Sequence, residues 1–196
     1  MNNEQTINIK MKKLYFTLFT LILSGFLFSS VNARDKSPDK KVTVSYTWSK
    51  IQSYGSNQIA VWVEDTKGQY ICTLFATRFT AKGGYLKRPL SLSEWTSKSD
   101  LKNTTKPEVD AITGATPSSG KQSLTWNCTD KSGKIVPKGT YVLRMEANIH
   151  DADKMFFRGE IKVGGNTGQT KGEITFSDPK LASGKVLFSD VLVEYK

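Results

Sequence analysis

Seven consecutive residues, Asp110-Ala111-Ile112-Thr113-Gly114-Ala115-Thr116, hold most of the chemistry this chain could perform. Gly114 and Ala115 let a backbone pass close to another surface, because neither brings bulk beyond a methyl group. Asp110 and Thr113 are residue types that hydrogen-bond nearby backbone amides and pre-form a turn. Thr116 then offers one hydroxyl as a nucleophile, and Pro117 stiffens the exit. Read for structure alone, the same residues make an Asx-type turn that only shapes a loop.

Other candidate chemistry is sparse. His150 is the only histidine, followed by Asp151 and Asp153. A lone imidazole cannot build a His-based metal cluster, although the two carboxylates could weakly attract a hard cation. There is no G-x-S-x-G elbow, no P-loop, no G-x-G-x-x-G and no H-E-x-x-H. An independent catalytic activity is therefore not expected. Glu146 lies inside a strand pattern and requires a Lys or Arg partner. The two cysteines, Cys72 and Cys128, also fall in strand patterns. In an oxidising compartment they could form a disulfide; the alternative is two buried thiols.

The elements that must position these residues begin after an N-terminal leader. Lys10, Lys12 and Lys13 precede an apolar run from Leu14 to Phe28, and Val31-Asn32-Ala33 ends in a small-residue cleavage pattern. Residues 1–33 read as a signal peptide, with Met1 or Met11 as the start, and residues 34–41 as a flexible lead-in. The remainder, 42–196, reads as one exported domain in the periplasm or outside the cell. Without the leader the net charge is about +8, mostly from scattered Lys rather than Arg clusters. That balance excludes a nucleic-acid stripe and suits contact with anionic surfaces.

Alternation in Val42–Trp48 gives a period-two strand. Further strands are expected at Ile59–Glu64, Tyr70–Phe75, Ser123–Cys128, Tyr141–Asn148, Met155–Val163, Glu173–Phe176 and Val186–Tyr195. Asp65 to Gly68 makes a hairpin turn between the second and third. Short strands at this spacing predict an all-β, immunoglobulin-like antiparallel β-sandwich. No long amphipathic helix is expected. Residues 78–122 break the rhythm and read as one long functional loop. One short helix is expected within it, where Ser91-Leu92-Ser93-Glu94 has a capping-box pattern, with Leu92 and Trp95 free to pack inward.

Asp110–Thr116 resembles the recognition motif of bacterial flavin transferases, Asp-x-x-Ser/Thr-Gly-Ala-Thr. The resemblance implies FMN joined through a phosphoester to Thr116, with Asp110, Thr113, Gly114 and Ala115 forming the cofactor-binding loop. It further implies a flavin transferase and a membrane-bound reductase as partners, and an aromatic such as Trp95 or Tyr85 over the flavin ring. Trp126, Asp130, Gly133, Val136, Gly139 and Tyr141 resemble the immunoglobulin-like hairpin of flagellar hook-capping proteins. The order of features is similar throughout to the bacterial periplasmic family DUF2271. It runs from Val61-Trp62-Val63 and the Gly68 to Leu74 hairpin, through Leu90 to Trp95, to the D-A-x-T-G-A-T loop and the hairpin ending at Tyr141. Cys128 stands where that pattern has a small residue. The reading is an exported flavin-carrying electron-transfer protein; the alternative is an immunoglobulin-like binding or structural module without enzymatic activity.

Overall fold

A computed structural model describes residues 40–150, 153–184 and 186–196, so the leader and most of the lead-in lie outside the described residues. Strand β1 (Val42–Trp48) buries Val42, Val44, Tyr46 and Trp48 on one face, as its alternation requires. It lies between β5 (Gly120–Trp126) and β10 (Phe188–Tyr195), and β8 (Gly168–Thr170) completes a four-stranded sheet in the order β5-β1-β10-β8. Lys41 and Lys196 exchange backbone hydrogen bonds of 2.8 and 3.0 Å, extending the β1–β10 ladder by one residue pair.

The second sheet contains β2 (Gln58–Asp65), β3 (Tyr70–Thr77), β4 (Thr113–Gly114), β6 (Gly139–Asn148), β7 (Lys154–Val163) and β9 (Glu173–Phe176). Its order is β4-β3-β2-β6-β7-β9, antiparallel except for the short parallel pair of β3 with β4. The sheets face each other across Val61, Leu143, Met145, Phe157, Phe188 and Val193, all at or near zero exposure. This is the expected all-β sandwich. The Asp65–Gly68 turn also forms as expected: Asp65 Oδ1 accepts from Lys67 N and Gln69 N, each at 2.8 Å, and Gly68 has φ +80°.

The hairpin from Trp126 to Tyr141 is explained by geometry alone. Trp126 and Tyr141 stack edge-on with ring centroids 5.2 Å apart, and Trp126 Nε1 donates to Thr129 O at 2.7 Å. Asp130 Oδ1 accepts from Ser132 N at 2.8 Å and Ser132 Oγ at 2.6 Å, and Gly133 supplies φ +82°. Tyr141 Oη donates to Pro137 O at 2.7 Å, the tyrosine-corner arrangement of sandwich domains.

The long loop departs most from expectation. It holds helices α1 (Arg78–Ala81), α2 (Ser93–Lys98) and α3 (Lys106–Ala111), a 3-10 turn at Gly84–Leu86, and strand β4. Strand β4 joins the edge of the six-stranded sheet, and the helices form a third layer on its outer face. Ala60, Trp62 and Ala76 point outward from β2 and β3 and meet Ala81, Leu92, Trp95, Leu101 and Val109 in a second buried cluster. Strand β2 is therefore buried on both faces.

Leu92 and Trp95 pack inward as expected, but not through the expected capping box. Ser91 is fully buried and shares hydrogen bonds with Thr80 Oγ1 at 3.1 Å and Asn148 Oδ1 at 3.4 Å. The functioning box is at Thr105, whose N and Oγ1 both donate to Glu108 Oε2, at 2.8 and 2.6 Å. Cys128 is not in a strand. It follows β5 with φ +56°, a left-handed conformation that explains why a small residue suits the position. Cys72 and Cys128 are both buried free thiols in this structure, and burial pushes Cys72 up to about 12.

Candidate functional site

The motif begins on a helix and ends in a groove. Thr105 and Glu108 start α3, Pro107 fits its first turn, and the helix stops at Ile112. Asp110 leaves the exposed side of α3 and pairs with Lys82, beyond α1. That ammonium holds the Asp110 carboxyl below its ordinary range, with Lys106 and Arg78 adding to the effect. Asp110 thus ties two parts of the excursion together through Lys82, where the turn reading had it capping backbone amides.

The next residues are a splice. Ile112 O accepts from Ala76 N at 2.9 Å, and Thr113 and Gly114 pair with Ala76 and Thr77 as β4. Ile112 packs on the outer cluster, whereas Gly114 lies against Phe75, which packs on the inner core. A Cβ at Gly114 would come within 2.7 Å of the Phe75 ring, so glycine allows this close approach without displacing the ring. Ala115 is exposed, and the chain then crosses from β4 toward β5 in the other sheet.

Thr116 is half-buried on the wall of a groove of about 550 Å³, lined also by Lys50, Ile51, Ser53, Ser56 and Ser119. Its Oγ1 donates to Asn57 O at 3.1 Å, across 59 positions of sequence. Asn57 holds its own loop by donating Nδ2 to Ile51 O and accepting from Ile51 N, both at 2.8 Å. Lys50 N donates to Ser119 Oγ at 2.9 Å, closing the other wall. No feature of the sequence marked Asn57, Lys50 or Ser119, because the loops that carry them meet only in the fold.

The other end of the motif borders a second cleft of about 470 Å³. Ala111 and Ile112 form part of one wall, with Tyr70, Thr73, Trp126 and Lys131 around it. The five motif residues singled out from sequence thus do not converge on one point: Asp110 reaches Lys82, Thr113 and Gly114 form a sheet edge, Ala115 is exposed, and Thr116 lines the groove beside Asn57.

Trp95 cannot cover a ligand. It is fully buried, and its Nε1 donates to Thr73 Oγ1 at 2.9 Å. Tyr85 is half-buried against the outer cluster. Glu146, fully buried, has the partner its position required: Oε1 lies 3.7 Å from Lys154 Nζ, and Oε2 accepts from Trp95 N at 3.0 Å. Burial drives its carboxyl up to about 7, with Glu94 adding to the rise and Lys154 opposing it. His150 sits in a bend with Nε2 3.0 Å from Ser53 Oγ. Among the described residues no three His, Cys, Asp or Glu side chains gather to hold a metal.

No curated protein and no solved structure matches the chain. A family model described as predicted periplasmic protein (DUF2271) matches residues 39–176, agreeing with the periplasmic location expected from the leader. The chain belongs to this family of predicted periplasmic proteins.

Proposed function

We propose that this periplasmic protein is an electron carrier with FMN esterified to Thr116. The observation that carries the reading is the half-buried Thr116 hydroxyl at the wall of its groove, at the end of a D-A-I-T-G-A-T segment. The groove suits the group chemically. Lys50 offers a cation for a phosphate, and Ser53, Ser56 and Ser119 offer hydroxyls to the phosphate and ribityl chain. Tyr54, fully exposed between groove-lining Ser53 and Gly55, is the aromatic available to cover the ring in place of Trp95.

Attachment would proceed on a flavin transferase with FAD as donor. The Thr116 oxygen bonds to the phosphorus on the riboflavin side, the anhydride P–O bond breaks, and AMP leaves. The hydroxyl proton, now directed at Asn57 O, passes to a base of the transferase. Ala115, next to the acceptor, is exposed, so the transferase can reach the segment from that side. When bound, the flavin supplies the redox chemistry, and the chain supplies attachment, orientation and electrostatics.

Intact mass after co-expression with a flavin transferase tests the reading. The wild type should gain one FMN less water, and Thr116→Ala should gain nothing. No addition to the wild type in a host that flavinylates a control substrate would overturn it, leaving the binding-module reading.

A further inference from the structure

We propose that residues 78–90 form a docking surface for a bilayer containing anionic phospholipid. Among the described residues four large hydrophobic side chains are exposed, and three of them, Phe79 at 41 %, Leu86 at 72 % and Leu90 at 53 %, lie in this one stretch. The same stretch carries Arg78, Lys82, Lys87 and Arg88 and no Asp or Glu. Asp110, the carboxylate that reaches it, is paired with Lys82. Apolar tips among basic residues are the combination that inserts into the headgroup region of an anionic leaflet.

Close local packing holds these residues in place. Helix α1 and the 3-10 turn at Gly84–Leu86 fold into a knuckle, drawn tight because Gly84 presses on the Phe79 backbone, where a Cβ would lie 2.3 Å from Phe79 O. Arg88 lies 5.7 Å from the Phe79 ring centroid, and its Nη2 donates to Ile149 O at 2.7 Å, anchoring the knuckle to the sandwich. Neither cleft described above is lined by Phe79, Leu86 or Leu90. Exposed apolar side chains outside the two clefts, set among basic residues, can be covered by lipid.

The knuckle stands at the end of the sandwich that holds Thr116. Arg88 Nη1 donates to Ser56 Oγ at 3.3 Å, and Ser56 lines the Thr116 groove. Docking would therefore bring that groove to the membrane where a reductase resides. This use rests on the flavin reading, whereas the docking itself does not.

Sedimentation with vesicles of phosphatidylcholine containing about one-third phosphatidylglycerol tests the proposal on the flavin-free protein. Leu86→Ser with Leu90→Ser should weaken binding about tenfold or more at unchanged melting temperature, because both side chains already face water. Lys87→Gln should weaken it about fivefold on anionic vesicles and leave pure phosphatidylcholine unaffected. Equal binding by the Leu86→Ser/Leu90→Ser variant, no binding of the wild type, or binding only to vesicles that carry native membrane proteins would each overturn it. Thr116→Ala, which cannot accept FMN, should bind vesicles like the wild type, so docking and flavinylation succeed or fail separately.

Discussion

The two buried clusters of this protein are made of different material. Between the sheets, the core is apolar side chains in alternation, as in β1, whose buried residues are Val42, Val44, Tyr46 and Trp48. Beneath the helical excursion, the apolar cluster is ringed by charge. Trp62 Nε1 and Lys98 Nζ both reach Glu64 Oε1 at 2.7 Å, Arg144 pairs with Glu94 and stands 5.8 Å from the Trp62 ring centroid, and Glu146 holds the start of α2. The inner core gains from burial in proportion to area, whereas the outer layer depends on specific partners whose desolvation must be offset. The motif is fastened to both, through Gly114 to the inner core and Ile112 to the outer cluster.

The largest test of this difference compares two truncations of similar size. Phe157→Ala in the inner core and Trp95→Ala in the outer one should each cost about 3–5 kcal/mol in the element they support. Phe157→Ala should lower the melting temperature of the whole domain. Trp95→Ala also strips a donor from buried Thr73, and its effect should concentrate in residues 78–112, seen as new protease cleavage and fast hydrogen exchange there. If Trp95→Ala instead exposes every strand equally, the two clusters are one cooperative unit.

Acidity provides the second contrast. Glu146 has a folded value of about 7, raised above its ordinary 4.5 by desolvation, with Glu94 raising it further and Lys154 opposing. The folded state therefore holds a proton that the unfolded state has already lost between these values. Its contribution to stability is fully present below about 4.5 and disappears as pH rises through 7, a change of about 3 kcal/mol. Glu108, Asp110 and Asp130 behave oppositely: their values are lowered, so what they contribute is lost only on acidification below the ordinary carboxylate range. Urea melts of the wild type should show stability declining from pH 4.5 to 7.5, with a flatter profile in Glu146→Gln. An unchanged slope in the variant would show that the buried carboxyl does not titrate there.

How far each region could be read from sequence follows the same division. Strands with one-sided burial were legible because it writes a period of two, and β1 matches its expected limits residue for residue, whereas the two- and three-residue strands β4 and β8 were too short to be seen. In the excursion only the short helix near Ser93 was legible, because its helices are four to six residues long and too short to display a helical period. They stand on distant partners, such as the Trp95 amide on Glu146, 51 positions away. One signal was available: Ile59-Ala60-Val61-Trp62-Val63 is continuously apolar, the mark of a strand buried on both faces, and it implied a layer above the second sheet. Within the site, Thr116 was legible as a residue type in a motif, but its partner Asn57 was not.

The smallest effect tests the seam between the two regions. Gly114→Ala places a methyl 2.7 Å from the Phe75 ring, with no penalty from backbone conformation because Gly114 is not among the positive-φ residues. Phe75 is only half-buried, so its ring can yield, and the cost should be about 1 kcal/mol by urea denaturation, at the low end for overpacking. What matters is where the strain goes. If β4 is held mainly by the inner core, the methyl lifts Thr113 and Gly114 from β3, exchange quickens at Ala76 N, whose acceptor is Ile112 O, and flavin loading at Thr116 falls. If the outer cluster holds it through Ile112, Ala76 N stays protected and only Phe75 moves. Combining Gly114→Ala with Trp95→Ala then discriminates: additive costs mean independent anchors, and a combined loss larger than the sum means that each cluster holds the motif when the other lets go.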